Sequence, residues 1–213
     1  MNPSFKEEVL IFLQERKFNI LAEVIINKKS RIKHLLRLLY STDAVIRWRA
    51  IEAVGVVVGK MAETDYEAAH NIMRSLFWSI NDESGGIGWS APECIGEIIY
   101  RRPADFGEFA SIILSFTDEE MLLRGVLWAA GRIAQADPEL VKDYVPELLE
   151  YLDDPDPVVR GYTLRFLYIV GEKAPLENNR YHFLLEDTNL VPVYENGTLK
   201  EISIVELARL HIK

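Results

Sequence analysis

Residues 46–55 read IRWRAIEAVG, and related blocks follow at residues 87–96 (IGWSAPECIG), 122–131 (LLRGVLWAAG) and, more weakly, 159–168 (VRGYTLRFLY). The last residues of the four blocks lie 41, 35 and 37 positions apart. Within each block, apolar residues recur at steps of three and four, the period of an amphipathic helix. Spacings of this length are typical of solenoids made of paired helices, so we interpret each block as the second helix of a pair.

The segments that precede the blocks supply a first helix for each pair. Apolar residues recur at helical steps in residues 32–40, 66–80, 106–116 and 140–152. Short runs rich in Asp, Ser, Thr and Asn separate the two helices of each pair, and their side-chain oxygens can cap the helix that follows. The sequence therefore predicts a helix, a short turn and a second helix, repeated four times.

Two of the blocks carry the pattern of a known repeat. Val45-Ile46-Arg47 leads through small residues to Gly55, and Asp156-Pro157-Val158-Val159-Arg160 places an Asp-Pro turn directly before Val-Arg. The pattern resembles HEAT-like repeats of the PBS-lyase type. The resemblance implies a right-handed α-α superhelix. It leaves the activity open, because the family includes scaffolds, adaptors, phycobilin lyases and DNA glycosylases.

The two ends of the chain differ from the repeats. Ser4 and Glu7 form a capping-box pattern, which predicts a helix within an N-terminal cap over residues 1–29. Near the C-terminus, two strand-like runs flank Asn196-Gly197, a pair typical of tight β-hairpin turns, and Ser203 to Glu206 is a second capping box. We therefore predict a C-terminal capping tail that contains a small β-hairpin and a short final helix.

The predicted fold class is all-α, a HEAT-like solenoid of about four helical pairs over residues 30–171. The N-terminal helical cap precedes it, and the C-terminal tail, residues 172–213, is expected to cover the core of the last repeat.

Composition narrows the class of protein. The chain is 49% hydrophobic and 27% charged, as folded globular proteins are, and its one cysteine, Cys94, leaves no partner for an internal disulfide. We expect a cytoplasmic protein with no membrane partner, since no apolar run approaches the roughly 20 residues that cross a bilayer. The net charge of −9 disfavours nucleic acid as a partner, although residues 1–49 alone carry +5.

Helical geometry places one column of side chains opposite the core stripe of the second helices. The column is aromatic or charged, and the resemblance implies that second helices line a concave groove. Its members are Trp48, Glu52, Trp89, Glu93, Glu97, Arg124, Trp128, Arg132 and Arg165. They are the candidate residues for binding a partner or ligand.

Each part of this column has two interpretations. The tryptophans either line the groove, as exposed aromatics in binding sites do, or fill gaps between neighbouring repeats. The charges either make a groove that is acidic at one end and basic at the other, suited to a dipolar ligand or an extended peptide, or pair with one another between repeats.

The longest spacing contains a glycine-rich segment before the second block. Gly86 and Gly88 match part of a dinucleotide-binding pattern, but the required preceding strand is missing, since residues 71–80 are helical in pattern. We expect Ser90 to cap the helix that follows, with Glu93 completing a capping box. The segment is a candidate ligand-contacting loop beside Trp89, or a longer turn without a binding role.

The sequence contains no recognisable catalytic constellation. Its four histidines are scattered, and the His-Glu dipeptides of HEAT-like iron enzymes are missing, so we predict no catalytic residues, no metal and no cofactor. Cys94 aligns with a core position. The preferred function is a non-catalytic scaffold or adaptor that binds a protein or peptide in its concave groove. The alternatives are a lyase-like protein that handles a small molecule or cofactor and, less favoured, a DNA repair protein.

Overall fold

The structure, a computed structural model, describes residues 4–80 and 90–212. Within these ranges it contains twelve α-helices, several 3₁₀ turns and one two-stranded sheet. The helices are α1 (Phe5–Gln14), α2 (Phe18–Asn27), α3 (Ile32–Leu36), α4 (Ala44–Thr64), α5 (Tyr66–Ile80), α6 (Ala91–Arg101), α7 (Pro103–Phe106), α8 (Phe109–Leu114), α9 (Glu120–Ala136), α10 (Val145–Leu148), α11 (Pro157–Val170) and α12 (Ile204–Arg209). The strands are β1 (Leu190–Glu195) and β2 (Thr198–Ser203). The predicted all-α solenoid with a C-terminal hairpin and a final helix is confirmed.

The second helices of the four pairs, α4, α6, α9 and α11, pack against one another in sequence and form the centre of the molecule. Their crossings are close because the glycine that ends a block faces the next second helix. A Cβ atom on Gly55 would lie 2.8 Å from the Cβ of Glu97, and one on Gly96 would lie 2.8 Å from the Cα of Ala129. Cys94 is fully buried in this core, as its alignment predicts.

The first helices of the pairs are less regular than the second helices. The first helix of the second pair, α5, has the predicted bounds, but residues 106–116 and 140–152 are divided into short α-helices and 3₁₀ turns. Pro146 lies in the first turn of α10, and a helix running through it from Leu140 would lack one backbone hydrogen bond.

Capping explains where several elements begin. The side chain of Asp43 accepts a hydrogen bond from the Ile46 amide at the start of α4, and Asp156 does the same for Val158 at the start of α11. Both predicted capping boxes are present, Ser4 with Glu7 and Ser203 with Glu206.

The hairpin between β1 and β2 turns at Asn196 and Gly197. Their φ angles are +50° and +79°, the conformation that a two-residue turn with positive φ requires. One strand lies on the last repeat, where Val191 covers Gly161 and the Tyr162 hydroxyl donates to the Pro192 carbonyl at 2.7 Å. The hairpin also reaches α4 of the first repeat. No helix in the described ranges is long and apolar enough to cross a membrane.

Candidate functional site

The inner face of the solenoid is the face of α4, α6, α9 and α11 that carries Trp48, Glu52, Glu97, Trp128 and Arg165. Of the two interpretations of the tryptophans, packing applies to Trp48 and Trp128, which are 6% and 1% exposed. Their ring centroids lie 4.9 Å apart, although they belong to the first and third repeats, and the Tyr194 ring of the hairpin stacks on Trp48 at 5.5 Å. The hairpin and the close helix crossings bury them, so the packing interpretation holds for both.

The charged members of the column other than Glu93 form ion pairs within the molecule. Glu52 accepts hydrogen bonds from Arg16 of the N-terminal cap at 2.9 Å and from the Tyr194 hydroxyl at 2.6 Å. Burial and this bond to Glu52 raise the pKa of Tyr194, so its hydroxyl stays a donor. Arg165 pairs with Glu195 of the hairpin at 3.2 Å.

Adjacent repeats are also joined by ion pairs. Arg132 of α9 donates to the buried carboxylate of Glu97 in α6 at 2.7 Å, and exposed Arg124 pairs with Asp156 at the start of α11. Burial raises the pKa of Glu97, although the charge of Arg132 opposes this. Within the column, Glu97 and Arg132 pair with each other between repeats, as the second interpretation expects. The charges of Glu52, Arg124 and Arg165 pair with residues outside the column.

The part of the inner face that the hairpin leaves uncovered is a cavity of about 920 Å³. We call it the binding cavity. It lies where the second helices begin: its walls come from residues 39–42, the first turns of α4, α6 and α9, and the turn that leads into α11. The residues used in the argument below are Tyr40, Arg47, Trp48, Glu93, Glu120, Met121, Arg124, Asp154 and Asp156.

Glu93 lines the binding cavity from the first turn of α6. Its Oε2 atom is shielded from solvent and has no hydrogen-bond partner among the described residues. The atom lies against Gly125 of α9, where an added Cβ would be 2.8 Å away. Burial raises the pKa of this carboxyl to about 7, against the opposing effects of its own backbone N–H and of the Arg47 charge.

The predicted capping role of Glu93 is wrong. The Ser90 hydroxyl makes no cap hydrogen bond and donates instead to the Leu39 carbonyl at 3.3 Å, so the capping box is not formed. Pro92 does occupy the first turn of α6 as expected. The remaining candidates, Gly86, Gly88 and Trp89, lie in residues 81–89, outside the described residues.

Sequence reasoning missed three residues that shape the site. Arg47 lines the binding cavity, whereas the sequence pattern indicates only its place in the repeat. Gly125 makes room for the Glu93 carboxyl. The sequence does carry a signal for Gly125, because the first two blocks have larger residues, Arg49 and Ser90, at the equivalent position. Tyr194, the third, lies in the tail, and no local pattern indicates which repeat it contacts.

The stacked helical pairs form an α-solenoid, and the C-terminal hairpin packs on its last repeat and contacts its first. Residues 120–169, from α9 to nearly the end of α11, match the family model of the HEAT-like repeat. This part of the chain is therefore similar to HEAT-like repeats.

Two individual proteins are similar to this chain. An uncharacterised protein of Archaeoglobus fulgidus is 33% identical over 119 residues, which are 55% of this chain and 60% of the length of that protein. The crystal structure of the archaeal HEAT-like repeats protein from Thermococcus onnurineus NA1 aligns over 100% of this chain and 80% of its own, with 16% identity and a TM-score of 0.37.

Proposed function

We propose that this chain is a non-catalytic HEAT-like repeat protein that binds a protein or peptide partner through the binding cavity. The observation that carries the proposal is the cavity itself, about 920 Å³ in volume and walled by four consecutive repeats. Because the hairpin lies over Trp48 and Glu52 beside this cavity, we expect the partner to contribute a short segment, and not a long strand laid along the whole solenoid.

The lining of the binding cavity supports a peptide partner. Tyr40 and Met121 are 63% and 55% exposed at its edge, and aromatic side chains and Met are enriched at protein interfaces. The edge also carries Glu120, Asp154 and Asp156, whose carboxylates would repel nucleic-acid phosphates. These charges disfavour the DNA repair alternative at this site.

Site-specific photo-crosslinking in cells tests the proposal. We would replace Met121 with a benzophenone amino acid and use the same replacement at Ile112 as the matched control. Ile112 is 46% exposed on α8, a first-helix segment, and does not line the binding cavity. We expect a discrete crosslinked protein from position 121 and none from position 112. Equal crosslinking from both positions, or none from position 121, contradicts the proposal.

A small-molecule role is the second candidate, because the volume of the binding cavity lies in the range of small-molecule sites, about 300 to 1,000 Å³. Native mass spectrometry of the purified chain distinguishes the two. A bound small molecule that is lost when Met121 is replaced by Trp, together with no crosslinked protein at position 121, would favour this second function.

A further inference from the structure

One position recurs in the four repeats and points to the inner face each time. It is the seventh residue of each block: Glu52, Glu93, Trp128 and Arg165. Three of these side chains are engaged within the molecule, since Glu52 binds Arg16 and Tyr194, Trp128 packs on Trp48, and Arg165 binds Glu195. Glu93 is the one charged member with a buried oxygen that has no partner in the described part of the chain.

The second repeat presents the Glu93 carboxyl to the binding cavity, and Gly125 of α9, which has no side chain, makes room for it. A buried carboxyl oxygen without a hydrogen bond costs free energy, and the cost is larger when the carboxyl is charged. A donor that a ligand brings to this carboxyl from the cavity would stabilise its charged form.

The charges around the binding cavity favour a positively charged donor. Its lining contains four carboxyl groups and two guanidinium groups. Arg124 is paired with Asp156, and the Asp154 side chain accepts the Asp156 backbone N–H. Outside the Arg124–Asp156 pair, the charged groups of the lining are Glu93, Glu120, Asp154 and Arg47, which give a net negative charge whether or not Glu93 is ionised. Tyr40 and Trp48 add aromatic surface, which attracts organic cations.

We infer that Glu93 binds a positively charged nitrogen, an ammonium or guanidinium group, carried by whatever enters the binding cavity. The inference deepens the proposed function and rests on it, because it concerns the same cavity and assigns the chemistry of its occupant. The cation comes from a basic side chain of a peptide partner or from a free small amine.

The inference makes binding depend on pH. The groups that face Glu93 are Arg47 from α4, Arg124 from α9 and Tyr162 from α11, with Cys94 and Glu97 on its own helix. Arginine stays charged throughout, and burial raises the pKa of Tyr162 and of Cys94, so both stay neutral near pH 7. Burial also raises the pKa of Glu97, but that carboxyl is paired with Arg132 and does not line the cavity. Glu93, whose pKa is about 7, is the cavity carboxyl that ionises near neutral pH, and a cation binds its ionised form more tightly.

The test is an NMR titration of the ¹⁵N-labelled full chain, with the Gly125 amide as the reporter. The probes are acetyl-Gly-Lys-Gly-amide, butylammonium, and two control peptides with Gln or Glu in place of Lys. We expect the cationic probes to shift the Gly125 signal saturably and to bind about tenfold more tightly at pH 8 than at pH 6, as a carboxyl of pKa about 7 requires.

Two variants complete the experiment. Glu93→Gln should weaken binding of the cationic probes at pH 8 by tenfold or more, whereas Glu23→Gln, which changes an exposed carboxyl on α2 outside the cavity, should leave it unchanged. The inference is overturned if the Gln or Glu peptide binds as tightly as the Lys peptide. It is also overturned if Glu93→Gln binds like the unaltered chain, if binding weakens from pH 6 to pH 8, or if neither cation binds.

The two arms separate the sources of the cation. If the Lys peptide binds and butylammonium does not, the cation comes from the side chain of a partner. If butylammonium binds and the peptide does not, the cation comes from a free amine. If no protein is crosslinked at position 121, the proposed function fails, yet the butylammonium titration still decides the inference. If a protein is crosslinked but cations are not preferred, the inference alone fails.

Discussion

The Glu93 carboxyl couples the stability of the molecule to pH. Its pKa is raised from about 4.5 to about 7 by burial, so between these values the folded chain holds the proton more tightly than the unfolded chain does. The free energy of unfolding therefore falls as pH rises through this window. We predict that Glu93→Gln is more stable than the unaltered chain at pH 8, by up to about 3 kcal/mol, and nearly equal to it at pH 5. Urea denaturation at both pH values measures the difference.

Glu206 is the control of opposite sign. Hydrogen bonds from Ser203 lower the pKa of the Glu206 carboxyl, so its charged form stabilises the folded chain above the ordinary pKa and less so as pH falls. Glu206→Gln should be less stable than the unaltered chain at pH 8, with a smaller loss at low pH. A Glu93→Gln variant that behaves in the same direction would show that the Glu93 carboxyl is not destabilised by burial.

At the scale of elements, the spacing between second helices depends on small residues at their crossings. A Cβ on Gly96 would lie 2.8 Å from both Cα and Cβ of Ala129, and backbone atoms cannot rotate away. We predict that Gly96→Ala forces α6 and α9 apart and lowers the free energy of unfolding by about 1 to 3 kcal/mol, despite the better helix propensity of Ala. Equilibrium urea denaturation gives the value.

Gly59→Ala in α4 is the matched control. Its added Cβ would meet the Cβ of Arg101 at 3.3 Å, a much milder overlap than the 2.8 Å contacts at Gly96, so a small shift of α4 relative to α6 relieves it. The expected change is within about 1 kcal/mol, since a small repacking cost offsets the gain in helix propensity. Equal losses for the two variants would mean that the α6–α9 crossing tolerates a methyl group.

The elements that the sequence predicts well are those with strong local signals. The second helices follow from a repeated block, α5 from uninterrupted periodicity, and the hairpin turn from Asn196-Gly197. The predicted helix over 140–152 is divided because Pro146 and local 3₁₀ geometry override apolar periodicity. Periodicity placed Trp48, Glu52 and Trp128 in one column but left open whether they are exposed or buried, since burial depends on what covers the column.

The column is covered by the hairpin, a segment far from α4 along the chain. Tyr194 stacks on Trp48 and bonds to Glu52, a residue 142 positions earlier in the chain, and Arg49 of α4 donates to the Gly197 carbonyl at 3.5 Å. No local pattern specifies contacts at this separation. Periodicity and turn chemistry do not reach such contacts, so the burial of Trp48 and Glu52 follows only from the placement of the hairpin.

The hairpin also determines how the solenoid unfolds. In an open array each repeat contacts only its neighbours, so a terminal repeat can unfold alone. Here Tyr194 and Glu195 connect the first repeat to the last through Glu52 and Arg165.

We predict that α4 and α11 open with one common free energy in native-state hydrogen exchange. In Tyr194→Ala/Glu195→Ala, α11 should open about 2 to 4 kcal/mol more easily than α4, because an aromatic contact and charge-assisted hydrogen bonds are lost. Lys200→Ala, an exposed change on β2, should leave the two helices coupled. Equal loss of protection in α4 and α11 of the double variant would mean that neighbour packing alone makes the array cooperative, with the hairpin acting only as a cover.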